Sequence, residues 1–378
     1  MMGSSYKIGL TYYLCMYSTG LKRLGHNVVV ISGQTEQAQG LFDRLKEHGI
    51  KYYVSSNIDK RTPYGIYRAA KEIRCILKSE NIDIMHVNGF FHMLKGYFAC
   101  RAIGTANKIP IAFMVHSVHH GTKYERLACL IGSRLMNWCA DIIMPVSEWL
   151  KIKLIQGGLR PDKVITVHNA IDFEKFNLQV SANDDLDIPG IKRSLFSRKT
   201  IACLAQLIPR KGIEYLILSV PQIIRAFPDT VFINMGDGPL KRKLEMMTKK
   251  LDIEKNVCFT GKVGNDYIPG ILRHIDIGVV SSLSETFGHA IIEPMAAAKP
   301  VVTTPVGVAQ EIVEDGKTGV MVPPRDAEAL AKAIIMLLRD EEKAREIGMR
   351  ARALVEEKFN LNTIAANLIN TYNFALER

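Results

Sequence analysis

Short runs of β-branched and other apolar residues alternate with helix-length segments along almost the whole chain. In the first half these runs are Val28–Ile31, Ile50–Val54, Ile82–Val87, Ile109–Val115, Asp141–Val146 and Val164–Val167. In the second half they are Thr200–Ala205, Val231–Met235, Val257–Thr260, Ile277–Ser281, Val301–Thr303 and Gly319–Val322. Such alternation is typical of βαβ units, in which helices join parallel strands. The sequence therefore predicts an α/β protein with parallel sheets.

An irregular stretch between the two series of strands predicts two domains. The chain has 378 residues, which is more than one hydrophobic core usually organises. The alternating pattern is lost over residues 178–199, which include Asn-Asp-Asp-Leu-Asp-Ile-Pro-Gly and a basic stretch. We therefore expect one Rossmann-like domain at 1–177, a linker at 178–199 and a second Rossmann-like domain at 200–360. Ligands of such folds bind at the carboxyl ends of the strands.

Composition narrows the class of protein. The sequence is 47% hydrophobic and 23% charged, which excludes a disordered tail or a collagen-like fibre. No apolar run approaches the roughly 18 to 20 residues of a spanning helix, and the first residues lack a signal-peptide core. Seven scattered cysteines without a Cys-x-x-Cys pair indicate buried thiols in a reducing compartment. We therefore expect a cytoplasmic protein that is neither secreted nor integral to a membrane.

Positive charge is concentrated in the first half of the chain. Residues 1–177 contain 23 Lys and Arg against 13 Asp and Glu, whereas residues 178–378 contain 26 against 25. This asymmetry suggests an anionic partner for the first half, either an acidic membrane surface or a phosphorylated substrate. A general contribution to solubility explains it equally well. Nucleic-acid binding is not expected, because the basic half lacks a recognisable binding module.

The segment Ser284–Val302 follows a strand and opens a helix. The first N–H groups of a helix have no partner within it, and together with the helix dipole they favour an anion. Glu285 precedes this turn, and Glu293 lies eight residues further on, about 12 Å along a helix. A diphosphate between these two carboxylates would leave each near a hydroxyl-rich part of a nucleotide sugar. Alternatively, Glu285 caps the helix and Glu293 is solvated.

Several motifs resemble, in order, those of the retaining glycosyltransferases of family 4. The segment with Glu285 and Glu293 is similar to that family's motif of Glu, seven residues and Glu. The other matching segments are Val146–Glu148, Val167–Asp172, Gln206–Gly212, Met235–Leu240, Phe259–Gly261, Val306–Val308, Glu311–Val313 and Asp315–Gly319. The resemblance extends from about Leu21 to the C-terminus and is strongest in the second half. It implies the GT-B fold, with two Rossmann-like domains facing across a cleft.

The resemblance implies a set of donor-binding residues in the second domain. Glu293 would accept hydrogen bonds from ribose hydroxyls, and Glu285 would contact hydroxyls of the transferred sugar. The backbone amides of Phe287, Gly288 and His289 would hold oxygens of the diphosphate.

The resemblance also implies catalytic residues beyond that segment. Lys211 would neutralise charge on the departing nucleoside diphosphate, which is the largest electrostatic demand of the reaction. His116, after the strand Ile109–Val115, would face the donor sugar, so that His116, Lys211 and Glu285 form the expected catalytic set. The alternatives for His116 are a polar residue at a strand end or a metal cluster with His119 and His120. No acidic or cysteine ligand accompanies these histidines, and we expect no metal.

In proteins of the GT-B fold the last helix packs back on the N-terminal domain. Residues 361–378 match this expectation, because Ile364, Leu368, Tyr372 and Leu376 recur every four residues and give one apolar stripe that must be buried.

The chain departs from the family pattern at two places. Gln206 stands where the family commonly has an arginine, and a neutral amide cannot replace a guanidinium on a diphosphate, although Arg210 could compensate. The family also begins with a strand and a Gly-rich loop, for which only Gly9 stands near the expected position. We therefore expect an N-terminal domain without a regular first strand and with low activity. Either Tyr6–Tyr13 serves as a shortened strand, or the chain starts late and the central slot of the sheet is empty.

The favoured function is transfer of a sugar from a nucleoside-diphosphate donor, with retained anomeric configuration, to a lipid-linked, phosphorylated or glycan acceptor bound by the N-terminal domain. No cofactor is expected. The basic N-terminal domain would supply any peripheral contact with the inner face of the membrane. Two alternatives stay open. One is a non-catalytic sugar-nucleotide-binding or scaffold protein, and the other is a sugar-nucleotide epimerase or phosphorylase of the same fold.

Overall fold

The computed structural model describes residues 8–34, 36–101, 109–117, 123–177, 191 and 193–378. They form two compact units, the first ending at Ala170 and including Phe359–Arg378, the second running from Ile171 to Lys358. Most of the expected linker, together with His119 and His120, lies outside the described residues. Each unit is an α/β layer structure with parallel strands, as the alternating sequence pattern predicts.

Unit 1 contains five strands and seven helices in its described residues. These are α1 Ile8–Arg23, β1 Val29–Ser32, α2 Glu36–Glu47, β2 Lys51–Val54, α3 Pro63–Ser79, β3 Met85–Asn88, α4 Phe90–Arg101, β4 Ile111–Val115, α5 Lys123–Cys139, β5 Ile142–Pro145, α6 Glu148–Gln156 and, after unit 2, α14 Leu361–Leu376. Strands β1 and β2 pair in parallel, and β3, β4 and β5 form a second parallel group in that order.

Unit 2 contains six strands in one parallel sheet. Its elements are β6 Lys199–Leu204, α7 Ile213–Ala226, β7 Thr230–Met235, α8 Lys241–Lys250, β8 Val257–Gly261, α9 Ile268–His274, β9 Ile277–Val280, α10 His289–Ala296, β10 Val301–Thr303, α11 Ala309–Ile312, β11 Val320–Met321, α12 Ala327–Arg339 and α13 Glu341–Phe359, whose last residue belongs to unit 1. The strand order is β11-β10-β9-β6-β7-β8. Helices α7 and α12 pack together over a core that includes Ile217 and Ile334, both fully buried.

Two sequence expectations for unit 1 are wrong. Ile8 begins helix α1, so Ile8–Tyr13, the described part of the expected strand, is helical, and Gly9 lies in the first turn of a helix instead of a loop. Val164–Val167 is not a regular strand either. It runs beside β5 with hydrogen bonds from Ile165 N–H to Ile143 O (3.0 Å) and from Val167 N–H to Pro145 O (2.9 Å). The pairing is present, but it is too sparse to make a sixth strand of the ladder.

Helix α1 is fixed by contacts with the last helix and with the end of the first segment of unit 1. A Cβ on Gly20 would lie 2.9 Å from Cβ of Ala365 on α14, so the two helices approach as closely as a glycine allows. The hydroxyl of Tyr17, a fully buried residue, donates to Oδ1 of Asn169 at 2.7 Å. Burial raises the pKa of Tyr17 well above its usual value, so the phenol stays protonated.

None of the helices in the described residues is long and apolar enough to cross a membrane.

The glycine contact between α1 and α14 generates a stability prediction. Gly20→Ala should destabilise the protein by about 1–3 kcal/mol, because the added methyl group overpacks the contact with Ala365. Gly40→Ala is the matched control, since Gly40 lies in α2 with open space around its Cβ position, and it should stabilise by about 0.5–1 kcal/mol. Urea unfolding of the two variants measures both changes, and equal effects would contradict the close packing of α1 on α14.

Candidate active site

The best-defined polar cluster lies in unit 2 beyond the carboxyl ends of β6 and β9. These strands are neighbours in the sheet. The strands that follow β6 in the chain, β7 and β8, lie on one side of it, whereas β9, β10 and β11 lie on the other side. In open parallel sheets a crevice forms at such a switch in strand order, and ligands bind there. The loop after β6 and the loop after β9 form the cluster.

Backbone contacts hold these two loops together. Leu283 N–H donates to Arg210 O at 2.7 Å, and Ser281 Oγ donates to Lys211 O at 3.1 Å. Gly212 has φ +61°, and a Cβ at this position would collide with the carbonyl oxygen of Ser281. Only glycine combines this left-handed conformation with so close an approach. These contacts therefore fix the backbone of Arg210 and Lys211 next to the loop after β9.

Glu285 is the centre of the cluster, and three side chains neutralise or hydrogen-bond its carboxylate. Lys211 Nζ forms an ion pair with Oε1, and Ser282 Oγ donates to the same oxygen at 2.7 Å. Arg210 Nη1 lies 3.4 Å from Oε2. The side chains of Glu285 and Lys211 are only 7% and 13% exposed, whereas that of Arg210 is 51% exposed. A buried carboxylate needs such partners, because an unpaired charge at this depth would be costly.

Helix α10 begins directly after this cluster. Gly288 precedes it with φ +102°, and Val308 N–H donates to Phe287 O at 2.8 Å, which fixes the turn from the other side. His289 is the first helical residue, and burial lowers its pKa to about 4, so the imidazole is neutral at physiological pH. The positive end of the helix dipole is thus next to Glu285, Lys211 and Arg210.

Glu293 lies on the second turn of the same helix. Its side chain keeps some contact with solvent, yet the surrounding protein removes enough water to raise its pKa to about 8. The carboxyl group is therefore mostly protonated at neutral pH and can both donate and accept a hydrogen bond. Groups that are strongly shifted by desolvation in this way are frequent at functional sites.

Gln206 lies on the exposed loop that links β6 to Arg210 and Lys211. Leu207 N–H donates to Asp237 O at 3.0 Å, and a Cβ on Gly236 would collide with Ala205 O, so this loop is held against the one that follows β7. Cys203, just before it in β6, is buried, and burial raises the pKa of its thiol to about 12. It is a packing residue and not a nucleophile.

His116 and Gly9, the other residues expected in the site, belong to unit 1. His116 follows β4, and its Nε2 lies 2.8 Å from Oδ1 of Asn88 at the end of β3, while its ring stacks on Tyr13 with centroids 5.1 Å apart. Asn88 accepts through Oδ1, so Nε2 of His116 carries the proton. Gly9 is in helix α1 and does not form the expected loop.

Sequence reasoning missed Asn88, Tyr13 and Ser282. Asn88 could have been found, because it is the polar last residue of the buried strand β3, just before a glycine and at the same sheet edge as His116. Tyr13 and Ser282 are placed by helix α1 and by the turn after β9, and no spacing in the sequence indicates those contacts. Among the described residues, no group of three or more His, Cys, Asp or Glu side chains could hold a metal ion.

Comparison with known proteins agrees with this arrangement. Residues 190–354 match the family described as glycosyl transferases group 1, and residues 9–175 match glycosyltransferase family 4. An N-acetyl-alpha-D-glucosaminyl L-malate synthase of Bacillus anthracis is 27% identical over 97% of this chain and 96% of its own length. An uncharacterized glycosyltransferase of Methanocaldococcus jannaschii is 30% identical, over 62% of this chain and 60% of its own length.

Solved structures share the fold of the whole chain. HepE of Anabaena, crystallised with UDP and glucose, has a TM-score of 0.81 and 21% identity, covering 99% of this chain and 98% of that one. A glycosyltransferase of Rickettsia africae has a TM-score of 0.80 and 20% identity, covering 100% and 98%. At this level of identity the likeness establishes the GT-B architecture.

The raised pKa of Glu293 predicts a specific pH dependence of stability. The ordinary pKa of a glutamate is near 4.5, and that of Glu293 in the folded protein is about 8. Between these two pH values the folded protein keeps the proton, whereas the unfolded chain loses it. The free energy of unfolding therefore falls as pH rises from about 4.5 to about 8. Glu293→Gln should therefore gain stability relative to the parent from pH 5 to pH 8, by about 1–3 kcal/mol. Urea unfolding at several pH values measures this difference. Glu342→Gln, at an exposed position of α13, should show no such trend.

Proposed function

Because this chain belongs to the glycosyltransferases of family 4, we propose that it transfers a sugar from a nucleoside-diphosphate donor to an acceptor with retention of anomeric configuration. The observation that carries the proposal is the Glu285–Lys211–Arg210 cluster next to the N-terminus of α10. Two cations and a helix N-terminus at a switch in strand order are groups that attract a diphosphate.

Lys211 and Arg210 are proposed to bind the diphosphate of the donor. Without the donor, Glu285 balances the charge of both side chains and keeps them at the end of β6. Arg210 is half exposed, and its contact with the carboxylate is long, 3.4 Å from Nη1 to Oε2. Its side chain can therefore turn towards an incoming phosphate at little cost. In this way Arg210 would supply the guanidinium that the family commonly carries at the position of Gln206. The amides of Phe287, Gly288 and His289 are proposed to hold further phosphate oxygens.

Glu293 and Glu285 are proposed to bind the two sugar rings of the donor. Glu293 would bind the ribose hydroxyls, and its mostly protonated state at neutral pH lets it donate as well as accept. Glu285 would accept from hydroxyls of the transferred sugar while Lys211 and Ser282 hold its carboxylate in place. His116, positioned by Asn88, is proposed as the residue of unit 1 that contacts this sugar.

In the proposed reaction the bond between the anomeric carbon and the diphosphate oxygen breaks. A new bond forms between that carbon and an acceptor oxygen, and the acceptor loses its proton. Negative charge grows on the departing diphosphate, and Lys211 lies where it would stabilise that charge. Glu285 is already bound to Lys211 and Ser282, which favours a binding role over a nucleophilic one.

The acceptor is proposed to be anionic and bound by the basic N-terminal unit. The excess of Lys and Arg in residues 1–177 supports a lipid phosphate, a membrane-bound glycolipid or a sugar phosphate. Two relatives have names that contain an anionic molecule, malate in one and phosphatidylinositol in the other. Besides the malate synthase, a phosphatidylinositol N-acetylglucosaminyltransferase component of Arabidopsis thaliana is 28% identical over 86% of this chain and 70% of its own length.

Release of nucleoside diphosphate tests whether the protein is a transferase. The chain is incubated with UDP-, GDP- and ADP-sugars, with and without phosphorylated acceptors, and the released diphosphate is measured. Lys211→Met should lower kcat by about 100- to 1,000-fold, because the departing charge loses its buried cation. Lys243→Met removes an exposed lysine paired with Glu214 on the same unit and should leave the rate unchanged. Equal rates in both variants would exclude this role for Lys211, and tight nucleotide binding without any release would favour the scaffold alternative.

A binding measurement tests the assignment of Glu293 separately from catalysis. Glu293→Ala should weaken binding of the nucleoside diphosphate by about 1–3 kcal/mol, because ribose hydroxyls lose their buried partner. Titration calorimetry with the diphosphate that the parent binds best gives the affinity of both proteins. Unchanged affinity in a variant that still unfolds cooperatively would remove Glu293 from the site.

A further inference from the structure

Helix α3 exposes aromatic side chains that its packing in unit 1 does not require. Its residues Ala69, Ile73 and Leu77 are buried and form the stripe that faces the core. Tyr64 and Tyr67 lie outside this stripe and are 69% and 65% exposed. Exposed apolar groups that belong to a contiguous patch indicate a surface for a partner.

The patch continues onto α4. A groove of about 610 Å³ is lined by apolar side chains of both helices, namely Pro63, Ile66, Tyr67, Ala70 and Phe98. Phe98 is half exposed, and Phe91, which lies two turns before it on the same face of α4, is also exposed. We call the surface formed by Tyr64, Tyr67, Phe91 and Phe98 the α3–α4 face.

Cations follow the aromatic residues along α3. Lys71, Arg74 and Lys78 continue the row of Tyr64 and Tyr67 at intervals of three and four residues, so all five lie on one side of the helix. Lys71 and Arg74 also line the groove. Lysine and arginine can lay their aliphatic stems on apolar surface while their charged ends reach into a polar layer.

Two further cations contact the exposed rings. Cζ of Arg61 is 5.3 Å from the centroid of the Phe91 ring, and Cζ of Arg68 is 5.9 Å from that of Tyr64. Contacts of this kind hold a guanidinium against the face of a ring. The α3–α4 face therefore combines aromatic rings with positive charge.

The acidic side chains of these helices do not offset that charge. Glu72 is the only acidic residue of α3, and its carboxylate accepts from Ser55 Oγ at 2.5 Å and from Asn57 Nδ2 at 2.6 Å. Glu80, directly after α3, is paired with Lys51 at 2.7 Å. Helix α4 contains no acidic residue. The α3–α4 face is therefore complementary to a negatively charged partner.

A bilayer fits this combination better than another protein does. Aromatic side chains concentrate at the headgroup level of membranes, and anionic lipids attract clusters of Lys and Arg. Protein–protein interfaces, by contrast, are depleted in lysine. A symmetric dimer through the α3–α4 face would place the same cations opposite one another, which costs free energy.

We propose that the α3–α4 face is a docking surface for a bilayer that contains anionic phospholipids. Tyr64, Tyr67 and Phe98 would enter the headgroup layer, and Lys71 and Lys78 would contact lipid phosphates. Docking in this manner needs no bound donor and no glycosyl transfer.

The docking surface adjoins the edge of unit 1 that carries His116. Helix α4 begins two residues after Asn88, whose side chain is hydrogen-bonded to His116, and Phe91 lies in the first turn of α4. A docked unit would therefore hold this edge of the sheet near the membrane. That a lipid acceptor is delivered there rests on the proposed function, whereas the docking itself does not.

Vesicle flotation tests the proposal on the full chain. Vesicles of phosphatidylcholine alone are compared with vesicles in which about a third of the lipid is phosphatidylglycerol. The protein should float with the anionic vesicles and not with the neutral ones, and added salt should weaken the binding, because screening reduces the attraction. No flotation with anionic vesicles, or equal flotation with both kinds, would overturn the proposal.

A pair of charge variants locates the surface. Lys71→Gln with Lys78→Gln should lower the partition coefficient for anionic vesicles by about tenfold or more, since each cation near the lipid phosphates contributes to the attraction. Arg242→Gln with Lys249→Gln is the matched control, because these two residues are also exposed and seven positions apart, on α8 of unit 2. The control should bind like the parent. Equal losses in the two variants would show that net charge holds the vesicles, and the α3–α4 face would be excluded.

A second pair of variants tests the aromatic part of the surface. Tyr67→Ser with Phe98→Ser should lower the same partition coefficient by about tenfold, because less apolar surface leaves water on docking. Leu218→Ser with Met246→Ser removes exposed apolar side chains of unit 2 and should have no such effect. Urea unfolding shows whether each variant is folded.

Two further measurements separate the other outcomes. If the parent did not float but formed a dimer that Tyr67→Ser with Phe98→Ser dissociated, a second copy would cover the face and the bilayer would be excluded. Release of diphosphate with a soluble acceptor is measured on the same proteins, so that a failure of docking and a failure of the proposed transfer are distinguished.

Discussion

One buried carboxylate, that of Glu285, determines how the loops of the second unit are arranged. Burying it is tolerable only because Lys211, Ser282 and Arg210 reach it, and these residues come from segments about seventy positions apart in the chain. The close backbone approach at Gly212 makes that meeting possible, since a side chain at this position would push the loop away from Ser281. The cations of the cluster are therefore part of the folded state before any ligand arrives.

The titratable side chains of helix α10 are neutral, in contrast to the charged cluster around Glu285. His289 loses its proton and Glu293 keeps one at neutral pH, both because of burial, so the helix that begins beside Glu285 contributes its dipole without added side-chain charge. The two cations, Lys211 and Arg210, are thus gathered at the position proposed for the diphosphate, while the protonated Glu293 is at the position proposed for the ribose.

The sequence predicted the fold in detail because strand periodicity is a local property. Strand β10 was expected at Val301–Thr303 and is observed there, and most other strands begin or end within one to three residues of their expected limits. The failures have physical causes. Val164–Val167 has strand-like composition but makes too few hydrogen bonds to join the ladder. Gly9 was expected in a loop only because the family pattern has a Gly-rich loop near this position, and the helix begins one residue before it. The pairing of Lys211 with Glu285 could be anticipated only from family resemblance, because contacts between distant segments leave no periodic signal. The contacts of Tyr13 with His116 and of Ser282 with Glu285 could not be anticipated from any signal in the sequence.

The chain passes from unit 1 to unit 2 after Ala170 and returns at Phe359, so the second unit is inserted within the first. During synthesis, every residue of unit 2 emerges from the ribosome before α14 does. Helix α1 contacts Ala365 of α14 closely at Gly20, and this contact can form only after the whole of unit 2 has been synthesised. Domains generally fold as they are completed, from the N-terminal end onwards. Here the order is reversed: the inserted unit can finish folding before the earlier one is complete, and the side of α1 that faces α14 is covered last.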